Sequence, residues 1–411
     1  MNGVGNPEVH AFFEANYSAD TITVAVLGSQ DLNALQTLVE KQFGMIVNRR
    51  LGPRPSNPPL FSPGTLPAKY TWRPFSDTRT LKFIYPVPPL RAHYRVRPTR
   101  YLAELIGHQG PQSLHDLLKR RGWIEALGSG AEVIDERNST FRISMTLTDA
   151  GGAHVQEIVD LTYAWLDLIR REGIEGWRYR EMTDLNERHF RFRDQTTPVA
   201  AVIDAAEALA NYPPEDVLRH DHLMEKFDEP LIRRYLEFLT PENAFVSISG
   251  PDVYMDYTKP LALSWRSGTA VFPRDVEAPL ELPGRNSFVP ENPDLALKPV
   301  PPGKPLLLET GTAVETWYAP DTEFRRPTAR VELRLRPAES LTPDDVVLAS
   351  LHAQLVEDAM HARAYAAERT GLSHSVKPTW TGCASTSAAI TTSSLSCSMM
   401  RSPLSSTPLL T

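Results

Sequence analysis

Ile106-Gly107-His108-Gln109-Gly110-Pro111-Gln112-Ser113-Leu114, with Gly122-Trp123 a few residues on, is the stretch that decides how this chain folds. Leu102, Leu105 and Ile106 lie at helical spacing before the break, and Leu114, Leu117 and Leu118 resume it afterwards. Two glycines and a proline do not continue a helix, so the stripe is predicted to stop, turn and restart, and Gly122 ends the second piece. Outward from this point the pattern switches between periods. Residues 81–85 read as a strand, and Phe141, Ile143, Met145 and Leu147 alternate with polar residues as a half-buried one. Val155, Ile158, Val159, Leu166 and Ile169 mark an amphipathic helix ending near Gly173. Leu231, Ile232, Tyr235, Leu236 and Leu239 mark another, before a Thr240-Pro241-Glu242-Asn243 turn and a strand over 245–249. This order predicts an α+β sandwich, with helices packed on one face of a mainly antiparallel sheet.

The flanking blocks differ. In the first, residues 22–27 read as a strand closed by Gly28, and Asp31 caps a helix running to about Phe43. One strand and one helix cannot enclose a core, so this block is predicted to complete a sheet whose other strands lie elsewhere. In the third, Val331, Leu333 and Leu335 alternate with arginines, and Thr342-Pro343-Asp344-Asp345 starts a helix that runs towards Arg369 and stops at Gly371. A strand followed by a long helix thus recurs, as expected of tandem domains. Proline clusters set the boundaries: a first block at 1–52, a linker at 53–69, a second domain at 70–278, a linker at 279–310 and the start of a third domain at 311–374. From 375 to 411 a tail is predicted to be disordered or aberrant. No charged residue occurs over 378–400, and 14 of the last 29 residues are Ser or Thr. An altered reading frame would produce the same abrupt switch.

Composition narrows the function. The 411 residues are 41% hydrophobic and 23% charged, ordinary for a globular protein. A net charge of −7 disfavours nucleic acid as a partner. No apolar run reaches the ~20 residues of a membrane helix, and the first residues lack the pattern of a secretory signal. Only Cys383 and Cys397 occur, which points to the cytoplasm rather than to a disulfide framework.

Several separated motifs occur in one order. Phe12-Phe13, Tyr17-Ser18-Ala19 and Val24-Ala25-Val26-Leu27-Gly28 precede the opening stretch. Asp184-Leu185-Asn186, Phe190-Arg191-Phe192, Tyr212-Pro213, Glu215-Asp216-Val217-Leu218, Phe288-Val289-Pro290, Trp317-Tyr318, Tyr365-Ala366-Ala367-Glu368 and Gly371-Leu372-Ser373 follow it. Together they resemble the insulysin-type (M16, inverzincin) zinc metallopeptidases: the end of the first domain, the whole second domain and the start of the third. The resemblance implies peptide hydrolysis by zinc held on a His-x-x-Glu-His helix and a downstream glutamate, leaving one coordination position for water. No His-x-x-Glu-His occurs in this sequence. No cofactor is therefore expected on this chain, although the family uses zinc.

The resemblance also implies a peptide exosite beside an edge strand of the second domain, carried here by Gly107, Gln109, Leu127, Ser129 and Ala131. Its physics would be strand addition, with small residues admitting a guest backbone. Gln109 stands where the family commonly has glutamate, Ser129 replaces a glycine, and Ala131 replaces a longer polar residue. The histidines carry less. His108 and His115 are seven apart across a break, His220-Asp221-His222 reads as a surface loop, and Glu357 with His361 reads as a solvated i, i+4 pair. The alternation of arginine with Phe190 and Phe192 over 188–193 reads as a helix face above a core. The expectation is a truncated or pseudo-peptidase portion that binds extended peptides without cleaving them. The alternatives are a metalloendopeptidase active only when a separate chain supplies the catalytic half, and a gene-model fragment without independent function. Partners expected are peptides, a catalytic-half chain or a second copy.

Overall fold

Alternation of large apolar residues builds the central sheet. The computed structural model describes residues 5–52, 57–194, 196–252, 280–289, 305–311, 314–319, 328–335, 341–379 and 382–390. Five strands, β1 (Ala68–Trp72), β2 (Arg79–Val87), β3 (Ile124–Val133), β4 (Ser139–Leu147) and β5 (Phe245–Ser249), lie in the order β1-β5-β2-β4-β3. β1 pairs parallel to β5, and every other pairing is antiparallel. Leu81, Phe83 and Tyr85 of β2 stand opposite Met145, Ile143 and Phe141 of β4, and all six are almost wholly buried. Thr80, Lys82 and Ile84, which alternate with them, stay partly exposed. One face of the sheet is therefore core and the other is wet.

The helices of this region are α3 (Pro98–Ile106), α4 (Leu114–Arg120), α5 (Asp149–Ala153), α6 (Val155–Glu172), α7 (Gly176–Arg191), α8 (Pro198–Leu209) and α9 (Glu229–Leu236). α3 and α5 contact the sheet directly, whereas α8 buries only Ala208. α6 buries ten residues, Trp165 among them, and ends at Gly173 as its periodicity predicts. α3 packs against β3, α9 and α6. Tyr101 of α3 donates to Gly173 O at 2.6 Å and accepts from Glu175 N at 2.9 Å, fastening the loop after α6. The α+β arrangement with helices on one face of a mainly antiparallel sheet is thus the observed one.

The first block holds α1 (Asn6–Asn16) and α2 (Leu32–Phe43), the latter capped by Asp31 accepting from Ala34 N at 2.9 Å. Neither helix has a buried residue. Residues 22–27 form no strand, contrary to the sequence reading. β-branched residues favour extension, yet a ladder needs a neighbour, and none lies alongside among the described residues.

The chain divides into two compact units, Met1–His108 with Leu117–Leu282, and Gln109–Asp116 with Pro283–Thr411. In the second, β6 (Leu306–Thr310) pairs with β7 (Glu315–Tyr318). β8 (Thr328–Leu335), β9 (Ser373–Thr379) and β10 (Gly382–Ile390) form a sheet in the order β8-β10-β9, and α10 (Pro343–Glu368) packs on β9. Thr342 opens α10 through a capping box with Asp345. Two expectations need correction. The linker drawn to 310 ends in β6, and the tail drawn as disordered from 375 contributes β9 and β10. Backbone pairing explains the second: β10 lies between β8 and β9, so both of its edges find partners despite few large side chains. Residues 391–411, Cys397 and Pro290 lie outside the described residues, as does half of the linker at 279–310.

Two outcomes follow for stability. A Cβ at Gly151 would sit 1.8 Å from the Trp123 carbonyl oxygen, which is backbone and cannot yield; Gly151→Ala should cost about 2–3 kcal/mol in chemical denaturation. Burial pushes the Tyr101, Tyr179 and Tyr235 phenols up to about 12. Unfolded tyrosine ionises near pH ~10, so the unfolded chain sheds these protons first. Stability should be intact below that pH and fall as pH rises towards about 12, with Tyr101→Phe flattening part of the fall in pH-dependent thermal melts.

Candidate functional site

β3 is the terminal strand of its sheet. It pairs with β4 on one side, and no strand lies on the other among the described residues. Its sequence, Ile124-Glu125-Ala126-Leu127-Gly128-Ser129-Gly130-Ala131-Glu132-Val133, carries small residues through the middle. Added Cβ atoms at Gly128 or Gly130 would meet nothing within 4 Å. The glycines are therefore not demanded by packing within the described residues, and they leave the backbone of an edge strand uncovered.

The candidate residues divide by role. Leu127, Ser129 and Ala131 stand opposite Met145, Ile143 and Phe141, so their side chains share the helix-covered face. Leu127 is buried core, whereas Ala131 is exposed. Ser129 Oγ donates to Ala103 O in α3 at 2.8 Å. Gly107 caps the C-terminus of α3, donating its N–H to Ala103 O at 2.9 Å. A Cβ at 107 would lie 2.7 Å from Ser129 Oγ and 3.1 Å from Ala103 O. The structure thus brings Gly107 and Ser129 together as the close contact seating α3 on β3, and it leaves the outward edge of β3 to its backbone.

Gln109 belongs to the other unit, where its side-chain oxygen lies 2.8 Å from His361 Nε2 on α10. His361 also meets His115, ring centroids 5.8 Å apart, and His115 is buried. Glu357 accepts from Val376 N at 2.9 Å. Glu357 and His361 are therefore not the solvated pair read from their spacing, because each is drawn to a different neighbour. His220 Nδ1 is 2.9 Å from Val217 O, and its ring stacks on Tyr212. Arg193 lies over Phe190 and Arg191 over Phe192 at the end of α7, and both rings are half-buried.

Zinc chemistry needs three protein donors converging with an open fourth position. Among the described residues, no three His, Cys, Asp or Glu side chains converge in this way. The donor set here does not fit the ion, so no catalytic step is assigned to it on this chain.

One cluster was not visible as a site. Asp135 and Asn138, at the tip of the β3–β4 hairpin, hold residues 57–60 by side-chain hydrogen bonds. The only sequence signal is an Asp and an Asn three apart, which by itself reads as a turn.

Comparison with known proteins now adds the family. Residues 5–183 match the peptidase M16 inactive domain, and residues 190–386 match the middle or third domain of peptidase M16. The chain belongs to the peptidase M16 family. Insulin-degrading enzyme from Homo sapiens is 31% identical across 90% of this chain and 38% of its own length. Insulin-degrading enzyme-like 1, peroxisomal, from Arabidopsis thaliana is 31% identical across 90% of this chain and 39% of its own. The chain thus spans about two fifths of these relatives. The crystal structure of pitrilysin superimposes with a TM-score of 0.71 at 22% identity, over 89% of this chain and 40% of that one, and shares the fold.

The seat of α3 can be measured by a double-mutant cycle. Gly107→Ala alone should cost about 1–2 kcal/mol, and the loss should shrink to below about 0.5 kcal/mol in a Ser129→Ala background. Additive losses in urea denaturation would show that the two positions do not touch.

Proposed function

We propose that this chain holds extended peptides by strand addition along the outer edge of β3, and so serves as the peptide-binding portion of an M16 endopeptidase. The observation that carries this reading is an edge strand that no other strand pairs on its outer side among the described residues, with two glycines whose Cβ positions meet nothing within 4 Å. A guest backbone pairs with such an edge and makes no demand on its own side chains. Gly107 and Ser129 act in this reading by fixing the strand, and Leu127 by anchoring it in the core. Gln109 is engaged with His361 within the second unit, and this reading gives it no part in holding the guest strand.

In the same reading, hydrolysis and zinc belong to a catalytic half that carries His-x-x-Glu-His, and this chain alone binds without cutting. A second reading, assembly with a separate catalytic chain into an active peptidase, draws on the first block. Leu32, Leu38 and Phe43 of α2 are 83%, 49% and 44% exposed, an apolar helix surface suited to a protein partner or a second copy. A cytoplasmic setting fits two cysteines in 411 residues, and no helix among the described residues is long and apolar enough to cross a membrane.

Successive N–H groups of a strand point to opposite sides, so of Gly130→Pro and Ala131→Pro one removes an outward donor and the other a β4 pairing. The variant that keeps the wild-type melting temperature should lose binding of a fluorescent extended peptide by about tenfold or more, from the N–H donors forfeited. Equal binding by both variants, or cleavage by the purified chain alone that EDTA abolishes, would contradict the reading.

A further inference from the structure

We infer that Asn138 is a positioning residue: through it, residues 57–60 strap down the tip of the β3–β4 hairpin and hold the far end of β3 ready for a guest strand. This rests on the strand-addition reading of β3. The hairpin tip is a tight turn, Ile134 N and Asp135 N both donating to Asn138 O at 2.9 and 3.1 Å. Asp135 Oδ1 accepts from the backbone N–H of Arg137 and of Asn138, each at 2.8 Å. Asn138, only 9% exposed, then uses its whole side chain on neighbours. Its amide donates to Pro58 O at 3.0 Å and to Asp135 Oδ2 at 2.8 Å, and its oxygen accepts from Leu60 N at 2.9 Å. Asn57 adds a donation to Asp135 Oδ2 at 3.0 Å. The side chains of Asn138 and Asn57 hold the Asp135 carboxyl well below the usual carboxylate range.

The placement gives this strap its consequence. β4 has β2 paired along one side and β3 along the other, whereas among the described residues β4 is the one strand paired with β3. Along β3, Trp123 N bonds to Leu118 O at the start, and Ser129 meets α3 in the middle. The end, Ala131-Glu132-Val133, is exposed throughout and is followed at once by the strapped turn. An edge that frays must be ordered again each time a peptide pairs with it, and that ordering opposes binding. The strap supplies the order in advance. It also ties peptide capture to the segment joining the first block to the second domain.

The test uses the full chain and a ten-residue peptide of alternating Thr and Val, with a free amino terminus and a C-terminal fluorophore on a two-lysine tail. Asn138→Ala, and independently Asn57→Ala, should weaken binding by about three- to tenfold, the scale of one or two lost hydrogen bonds. Hydrogen exchange should quicken over 131–134 and not over β2. The weakening should persist in whichever variant keeps the wild-type melting temperature, which a purely structural role would not produce. Binding by the unaltered chain that neither substitution changes overturns this inference and leaves the strand-addition reading standing. No binding by the unaltered chain overturns both.

Discussion

The contact between the C-terminal turn of α3 and the middle of β3 is the constraint on which the rest of the described site depends. At Gly107 there is room for a hydrogen and not for a methyl group, because the Ser129 hydroxyl already occupies the space while bonded to Ala103 O. That approach sets α3 directly on an edge strand. It also leaves Leu127, two residues before Ser129, buried in the core. A larger residue at either position would lift the helix, and the edge of β3 would move with it.

Much of the first unit could be read from periodicity. Residues 81–85, 141–147, 155–172 and 245–249 were legible because their apolar residues face one packed layer, and the spacing reports which face that is. The elements that escaped lack this one-sided burial. Residues 22–27 have the composition of a strand, but pairing is a property of neighbours and not of a segment. β10 was hidden for the converse reason. Ser, Thr and Ala offer little hydrophobic signal, yet a strand flanked on both sides is held by its backbone.

The candidate site was legible only in part. Position in a family pattern located Gly107, Leu127, Ser129 and Ala131 on or beside one strand, but it did not reveal what each side chain does. Gly107 serves a close approach, and Ser129 faces the helix and not the open edge. Gln109 was grouped with these residues by the same family pattern, and its side chain meets His361, 252 residues away. The hydrogen bonds of Asn138 were equally invisible, since they join segments 78 and 80 residues apart through ordinary polar side chains.

The parallel pairing of β1 with β5 carries a consequence for the order in which the domain is made. Trp72 and Ser247, joined by a hydrogen bond, are 175 residues apart, and β5 inserts between β1 and the middle strand β2. At ribosomal speeds of roughly 5–20 residues per second, about 9–35 s separate synthesis of these two partners. Once β4 has been made β2 can pair with it, yet its other flank stays vacant until β5 follows, and β1 has nothing to join. The nascent polypeptide therefore carries an unfilled slot in its half-built sheet until the last strand of that sheet arrives, and over this period the exposed edges call for chaperone custody.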